Sequence, residues 1–206
     1  MLSDALYRAG VWKAGELRSK PGLPTGFPVL DSVLPSKGWP RDSLTELLIT
    51  QQGIGALRLL LPSLAAISHQ EQWLIWVCPP HIPYVPTLQA YDINLQKLLI
   101  IEPEDEKSAD TDYKLWVFEQ ALRFQQCGMA IVWLDAVPSV SLRRLQLACE
   151  AGKTCGVICR PAIYAKEASP ASLRLKVDAC HNDTTSVHIL KARGLVREHT
   201  LEISEL

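Results

Sequence analysis

The chain lacks an excess of charge of either sign, a long apolar run and any CxxC pair of cysteines. Lys and Arg number 21 against 22 Asp and Glu, for a net charge of -1. That balance excludes a bulk electrostatic grip on nucleic acid and leaves at most a local basic patch. No run of about 18 apolar residues occurs, so no segment is built to span a membrane as a helix. The opening "MLSDALYRAG" carries Asp4 and Arg8 and lacks a signal-peptide core, which points to a cytoplasmic protein. The six cysteines (Cys78, Cys127, Cys149, Cys155, Cys159 and Cys180) form no CxxC pair, so zinc-site spacing is missing. Cys78, Cys155 and Cys159 stand in apolar runs, where a thiol serves as a small buried hydrophobe. No internal repeat or low-complexity tract is present.

What is present is a chain of 206 residues, 48% hydrophobic, enough for one domain with a sizeable core. Five short runs are apolar at successive positions: "LTELLI" (44–49), "WLIWVC" (73–78), "KLLIIE" (97–102), "AIVWLD" (130–135) and "GVICR" (156–160). Apolar side chains on both alternating faces suit strands covered on both sides, as in a parallel sheet. Helix-like segments lie between them. Residues 56–70 are apolar and interrupted by Pro62. Residues 112–127 follow the capping cluster "DTD" and carry Leu115, Phe118 and Leu122 at helical spacing. Residues 139–151 start at Ser139 or Ser141 and stop near Gly152. Strands alternating with helices predict a doubly wound α/β sheet. "LRLKVDAC" and "TSVHILKAR" alternate about the turn-like "HNDT" and predict an antiparallel β-hairpin at the sheet edge, with "HTLEI" as a further strand. Ahead of the Pro/Gly-rich "SKPGLPTGFP", residues 1–22 read as an N-terminal arm of helix plus extended segment, and 23–206 as the main domain. The acidic "EPEDEKSADTD" (102–112) reads as a solvated loop.

One stretch has the outline of a phosphate-binding loop. "TELLITQQGIGALRLLLP", from Thr45 to Pro62, runs strand, glycine-bearing turn, apolar helix. A working P-loop needs glycine, four free positions, glycine, lysine and then serine or threonine. The glycines admit backbone N–H groups to phosphate, the lysine neutralises its oxygens, and the hydroxyl holds Mg²⁺. With Gly55 as the second glycine and Gly53 beside it, the first glycine becomes Thr50, the lysine Ala56 and the hydroxyl residue Leu57. Arg58 is two residues past Gly55's neighbour and points roughly 200° away on a helix. The phosphate and metal contacts are gone, so no cofactor and no metal are expected, and no enzymatic activity.

The surroundings resemble the RecA-type ATPase core. The lead-in shows Thr25-Gly26, Leu30-Asp31, Leu34, Gly38-Trp39-Pro40 and Glu46, and "WVCPPHIPYVPTLQAYDINLQKLLIIEP" keeps the spacing from His81 to Leu98-Leu99. The family's water-activating glutamate falls on Pro80, which cannot act as a base. "AIVWLD" resembles the Walker B strand with Asp135 as its carboxylate, now without a magnesium partner. The DNA-binding loops look short, so DNA binding is expected to be weak or absent. This implies a RecA-like, doubly wound, mainly parallel sheet flanked by helices, with a degenerate nucleotide loop.

More closely, "LPTGFPVLD", "GWPRDSLTELL", "PPHIPYVPTL", "LRRLQLACEAG" and "SLRLKV…HILKARG" resemble the ImuA family over roughly residues 6 to 194. That resemblance implies a non-ATPase adaptor in SOS-induced, error-prone translesion DNA synthesis. Its implied partners are an ImuB-type Y-family polymerase relative, an error-prone C-family polymerase and RecA, with self-association a further option. The alternative is SulA, the SOS inhibitor of cell division, which residues 58–161 also resemble through an "LLLP" helix, a "W…W" strand and an "F…RP" strand. That reading makes FtsZ the partner and blocked polymerisation the effect. Candidate partner-binding residues are Leu6, Tyr7, Val11 and Trp12 in the arm, Arg143, Arg144 and Gln146 on the helix "SLRRLQLACEAG", and Lys191, Arg193 and Arg197 near the C-terminus.

Overall fold

Each of the five apolar runs becomes a strand in the computed structural model of the chain. The structure describes residues 20–50, 56–103, 110–179, 184–195 and 199–204. Leu6, Tyr7, Val11, Trp12, Gly53, Gly55 and Arg197 lie outside the described residues, as does nearly all of the arm. The strands are β1 (Leu44–Ile49), β2 (Trp73–Val77), β3 (Leu98–Ile101), β4 (Cys127–Trp133), β5 (Cys155–Pro161), β6 (Leu173–Ala179), β7 (Thr184–Ala192) and β8 (His199–Ser204). The helices are α1 (Pro28–Val33), α2 (Leu61–Ser68), α3 (Val85–Ala90), α4 (Thr111–Arg123) and α5 (Ser139–Gly152).

The strands form one eight-stranded sheet in the order β3-β2-β4-β5-β1-β6-β7-β8. Neighbours from β3 through β6 are parallel, and β6-β7 and β7-β8 are antiparallel. The sheet is therefore mixed and its helices are few, which corrects the RecA-like doubly wound layout expected above. Between β5 and β6 the chain makes only a 3-10 turn, Ala162–Lys166. The antiparallel pair expected of "LRLKVDAC" and "TSVHILKAR" is present as β6-β7, with β8 from "HTLEI" as the edge strand, and β6 joins the pair to the rest of the sheet through its parallel bonding to β1. The reason for the mixed sheet is physical. An apolar run reports that a strand is covered on both faces, but not which strand it pairs with. The alternating strands β6 to β8 pair with their chain neighbours, so one flank of the sheet needs no crossover helix.

Alternate side chains of the central strands feed two apolar clusters on opposite faces. One holds Trp39, Leu47, Leu64, Trp76, Val157 and Leu175. The other holds Phe118, Leu122, Val132, Leu145, Cys149 and Ile158. Helix α4 starts where the sequence supplies a cap: the Asp110 carboxylate accepts from the Tyr113 N–H at 2.7 Å. At the end of α5 the left-handed residue is Lys153, at φ 58°. Gly152 serves a different need there, because a Cβ on it would stand 1.9 Å from the Leu122 carbonyl oxygen. Glycine lets the end of α5 lie against the end of α4.

The lead-in ahead of β1 is a packing device. The Thr25 N–H donates to Asp31 Oδ1 at 3.1 Å, and the Phe27 N–H donates to Thr25 Oγ1 at 3.0 Å. Leu23 and Trp39 form an antiparallel bridge. Trp39 is fully buried, and its Nε1 donates to Ser63 Oγ on α2 at 2.9 Å. Among the described residues no helix is long and apolar enough to cross a membrane.

Candidate functional site

At the C-terminal ends of β1, β2 and β4 the surface opens into a groove of about 310 Å³. Its floor is Trp76, buried on β2, and Trp133 at the end of β4, in edge-to-face contact at 6.0 Å between ring centroids. Ala56 and Leu57 form one wall, where a nucleotide loop would carry lysine and a hydroxyl. Ala56 is buried in the core and Leu57 packs against it. The two residues thus complete an apolar surface in place of a charged one.

The opposite rim is the segment from Cys78 to Pro86. Cys78 sits at φ 45°, a left-handed conformation that strains a non-glycine residue. The chain leaves the sheet there and enters a stretch with prolines at 79, 80, 83 and 86. Proline fixes φ and donates no backbone hydrogen bond, so this stretch cannot join a helix interior or a central strand. Ile82 and Tyr84 consequently stand out at 87% and 72% exposure. Exposed apolar side chains beside an apolar groove mark an interaction surface.

A second, more polar recess of about 250 Å³ adjoins the groove and is lined by Thr50, Lys114, Asp135 and Arg160, with His81 and Pro80 between the two. Arg160 is buried. Its Nε donates to the Asp135 backbone oxygen at 3.0 Å, its Nη2 donates to Glu167 at 3.0 Å, and its guanidinium lies 4.5 Å from the Tyr164 ring centroid. Nη1 has no hydrogen-bond partner and lies 3.6 Å from Glu46 Oε1. Glu46, fully buried on β1, also binds Arg174 Nε at 2.7 Å and accepts from Ser169 Oγ at 2.8 Å. Arg174 in turn donates to the carbonyls of Tyr164, Ala165 and Glu167. This network ties the turn after β5 to β1 and β6. It was invisible in the sequence because Glu46 stands over a hundred residues before Arg160, Ser169 and Arg174.

The remaining sequence-derived candidates do not converge on one place. Thr50 follows the last residue of β1, and its N–H and Oγ1 both donate to the Val177 oxygen, at 3.3 and 3.2 Å. Pro80 is exposed on the rim and Asp135 is exposed after β4. On α5, Arg143 is exposed, while Arg144 Nε lies 2.8 Å from Glu119 on α4. Gln146 accepts from the Leu44 N–H at 3.0 Å and so caps the start of β1. Lys191 donates to the Ser169 oxygen at 2.7 Å, and burial, with Arg174 nearby, pushes its amine pKa down. Arg193 lines a cleft of about 490 Å³ with Lys20 and Arg41 at the other end of the sheet. Sequence reasoning passed over Ile82 and Tyr84; the signal was an apolar side chain between prolines, in a stretch that can be neither helix nor buried strand.

The family model described as "Cell division inhibitor SulA" matches residues 43–156. Among curated relatives, the cell division inhibitor SulA of Edwardsiella piscicida is 27% identical over 118 residues, covering 55% of this chain and 67% of the relative. That of Photorhabdus laumondii is 29% identical over 127 residues, covering 60% and 69%. Among solved structures, SulA from Pseudomonas aeruginosa matches at 22% identity and a TM-score of 0.45, covering 57% of this chain and 97% of that one. The family match runs from the start of β1 into β5, through the degenerate loop, both groove tryptophans and the proline rim. It overturns the expected ImuA membership, and with it the ImuB-type partner, the C-family polymerase, RecA and the translesion role. The residues that carried the ImuA resemblance in the lead-in, Thr25, Asp31 and Trp39, serve packing. They report how the sheet is covered and not which partner is met.

Proposed function

The chain belongs to the SulA family, and from that premise we propose that it inhibits cell division by binding FtsZ and blocking its polymerisation. The observation that carries this reading is the groove beside the degenerate loop, where Ala56, Leu57, Trp76 and Trp133 form an apolar bed under exposed Ile82 and Tyr84. Such a surface binds by burying aromatic and aliphatic anchors. The proline-set rim is already extended, so little conformational freedom is lost on binding. The protein acts by occupancy, without turning over a nucleotide, and works in the cytoplasm. Residues 1–22, ahead of the body at 23–206, and exposed Arg143 are secondary partner candidates.

The test is FtsZ assembly followed by sedimentation and light scattering. Added protein should reduce the sedimented polymer in proportion to its concentration. Tyr84→Ala should raise the Kd for FtsZ by roughly thirtyfold, the equivalent of about 2 kcal/mol for a central aromatic anchor. Because Tyr84 is exposed, the melting temperature should barely move. FtsZ that assembles unchanged in the presence of an excess of folded wild-type protein sinks the proposal.

A further inference from the structure

At the N-terminal ends of β1 and β6 the cleft of about 490 Å³ opens between α5, the turn after α1 and the end of β7. Lys20, Arg41, Asp42 and Arg193, which give it most of its charge, lie outside the segment 43–156 matched by the family model. The family's activity therefore supplies no reason for them. Ser43 and Ser172, each one residue ahead of its strand, meet at the base of the cleft through their hydroxyls. Their backbones are already engaged in the sheet. The Ser172 N–H donates to the Leu44 oxygen at 2.9 Å, and the Ser43 and Ser172 oxygens accept from Gly156 and Arg193 at 3.0 and 2.9 Å. Gln146 reaches the same base, donating from Nε2 to Ser43 Oγ at 3.3 Å and to Glu150 Oε1 at 2.9 Å. On the rim, Lys20 pairs with Asp42 at 3.0 Å. Arg41 and Arg193 are exposed and line the cleft without an ion pair among the described residues. Two unanswered cations at one cleft, in a chain of net charge -1, mark a place where an anion is favoured.

We infer that this cleft binds a hydroxylated phosphate monoester, a ligand of the sugar phosphate class. The two guanidinium groups select the anion. A phosphate monoester carries a charge of about -1.5 to -2 at pH 7 and three acceptor oxygens, enough to accept from both planar forks. A carboxylate, with a single charge and two oxygens, is filled by one fork. The base selects the body of the ligand. Ser43, Ser172 and Gln146 can both donate to and accept from hydroxyl groups. The Glu150 carboxylate accepts from hydroxyls and repels a further anionic group, which disfavours an acidic peptide. Leu34, Pro35 and Leu173 form an apolar wall on which one face of a sugar ring can lie. The groove proposed for FtsZ lies at the other end of the sheet, so either site can exist without the other.

The experiment is titration of the full chain with ribose 5-phosphate, followed by calorimetry and by amide NMR spectra. Binding should saturate. The amide signals of Ser43, Ser172 and Arg193 should shift, and those of Tyr84 and Trp133 in the opposite groove should stay in place. Arg41→Ala and, separately, Arg193→Ala should each raise the Kd roughly tenfold, the effect of losing a charge-assisted contact. Both residues are exposed, so the variants should melt as the wild type does. Lys166→Ala removes an exposed cation that does not line the cleft and should leave the Kd unchanged, which separates a site from general charge attraction. Ribose and inorganic phosphate, each alone, should bind roughly tenfold more weakly, because each makes only part of the contacts. Inorganic phosphate that binds as tightly as the sugar phosphate overturns the inference and leaves an adventitious ion only. Absence of heat and of amide shifts at millimolar ligand overturns it as well, and so does binding that both arginine variants retain unchanged.

Discussion

Glu46 illustrates how a single residue changes meaning once its surroundings are known. In the sequence it is the last position of a lead-in passage. In the fold it is a fully buried carboxylate held by Arg174, Arg160 and Ser169. A buried ion pair is weak evidence for net stability, but removing one partner leaves charge without compensation. Glu46→Ala should therefore lower the unfolding free energy by about 3–5 kcal/mol, read from the urea midpoint with an unchanged slope. A loss below about 1 kcal/mol would show that the carbonyls around Arg174 suffice without the carboxylate. Ala56 and Leu57 are the opposite case. Their side chains lack a charge and a hydroxyl in any fold, so the loss of phosphate chemistry followed from residue type alone. Their use as a groove wall did not, because it depends on Trp76, Trp133 and the proline rim lying opposite.

Among the elements, α4 and α5 show why a boundary residue needs its neighbour. Both helices were marked by apolar spacing and by turn residues at their ends. Gly152 reads as a helix stop in the sequence, yet the left-handed conformation belongs to Lys153, and Gly152 is required by the Leu122 carbonyl. Gly152→Ala sets carbon against backbone with no flexible side chain to yield. It should cost about 1–3 kcal/mol through displacement of α5 from α4, seen as a lower melting temperature and loosened amide protection in both helices. A neutral result would mean that the helix ends separate freely. The same dependence explains α5's polar candidates. Arg144 and Gln146 are adjacent to exposed Arg143 in the chain, but one pairs with Glu119 and the other caps β1.

At the scale of the whole molecule, the thiols of the core link stability to pH. Burial pushes Cys127, Cys155 and Cys159 up to about 12 from an ordinary 9.0. The unfolded chain releases these protons first, so between those values the native state holds more protons than the unfolded one. The stability the three thiols contribute is whole below about pH 9 and is lost as pH climbs toward 12. The slope is roughly 1.4 kcal/mol per pH unit for each thiol that the native state keeps protonated. Guanidinium unfolding at pH 8, 9 and 10 should show the midpoint falling over the upper interval, and a flat profile would contradict the burial of these thiols. Where strands lie was legible because an apolar run covered on both faces is a local pattern. That apolar rule holds whatever the pairing, which is why it could not tell a mixed sheet of eight strands from a doubly wound one. By itself the sequence determined the places of β1 to β5, the absence of a lysine and hydroxyl after the loop, and the family match through residues 43–156. Those are properties of residue type and near spacing. Tertiary structure alone decided that β6 joins β1, that Glu46 meets two arginines, and that β3 is the outermost of the described strands on its side of the sheet. Each of these joins residues far apart in the chain, where local pattern carries no information.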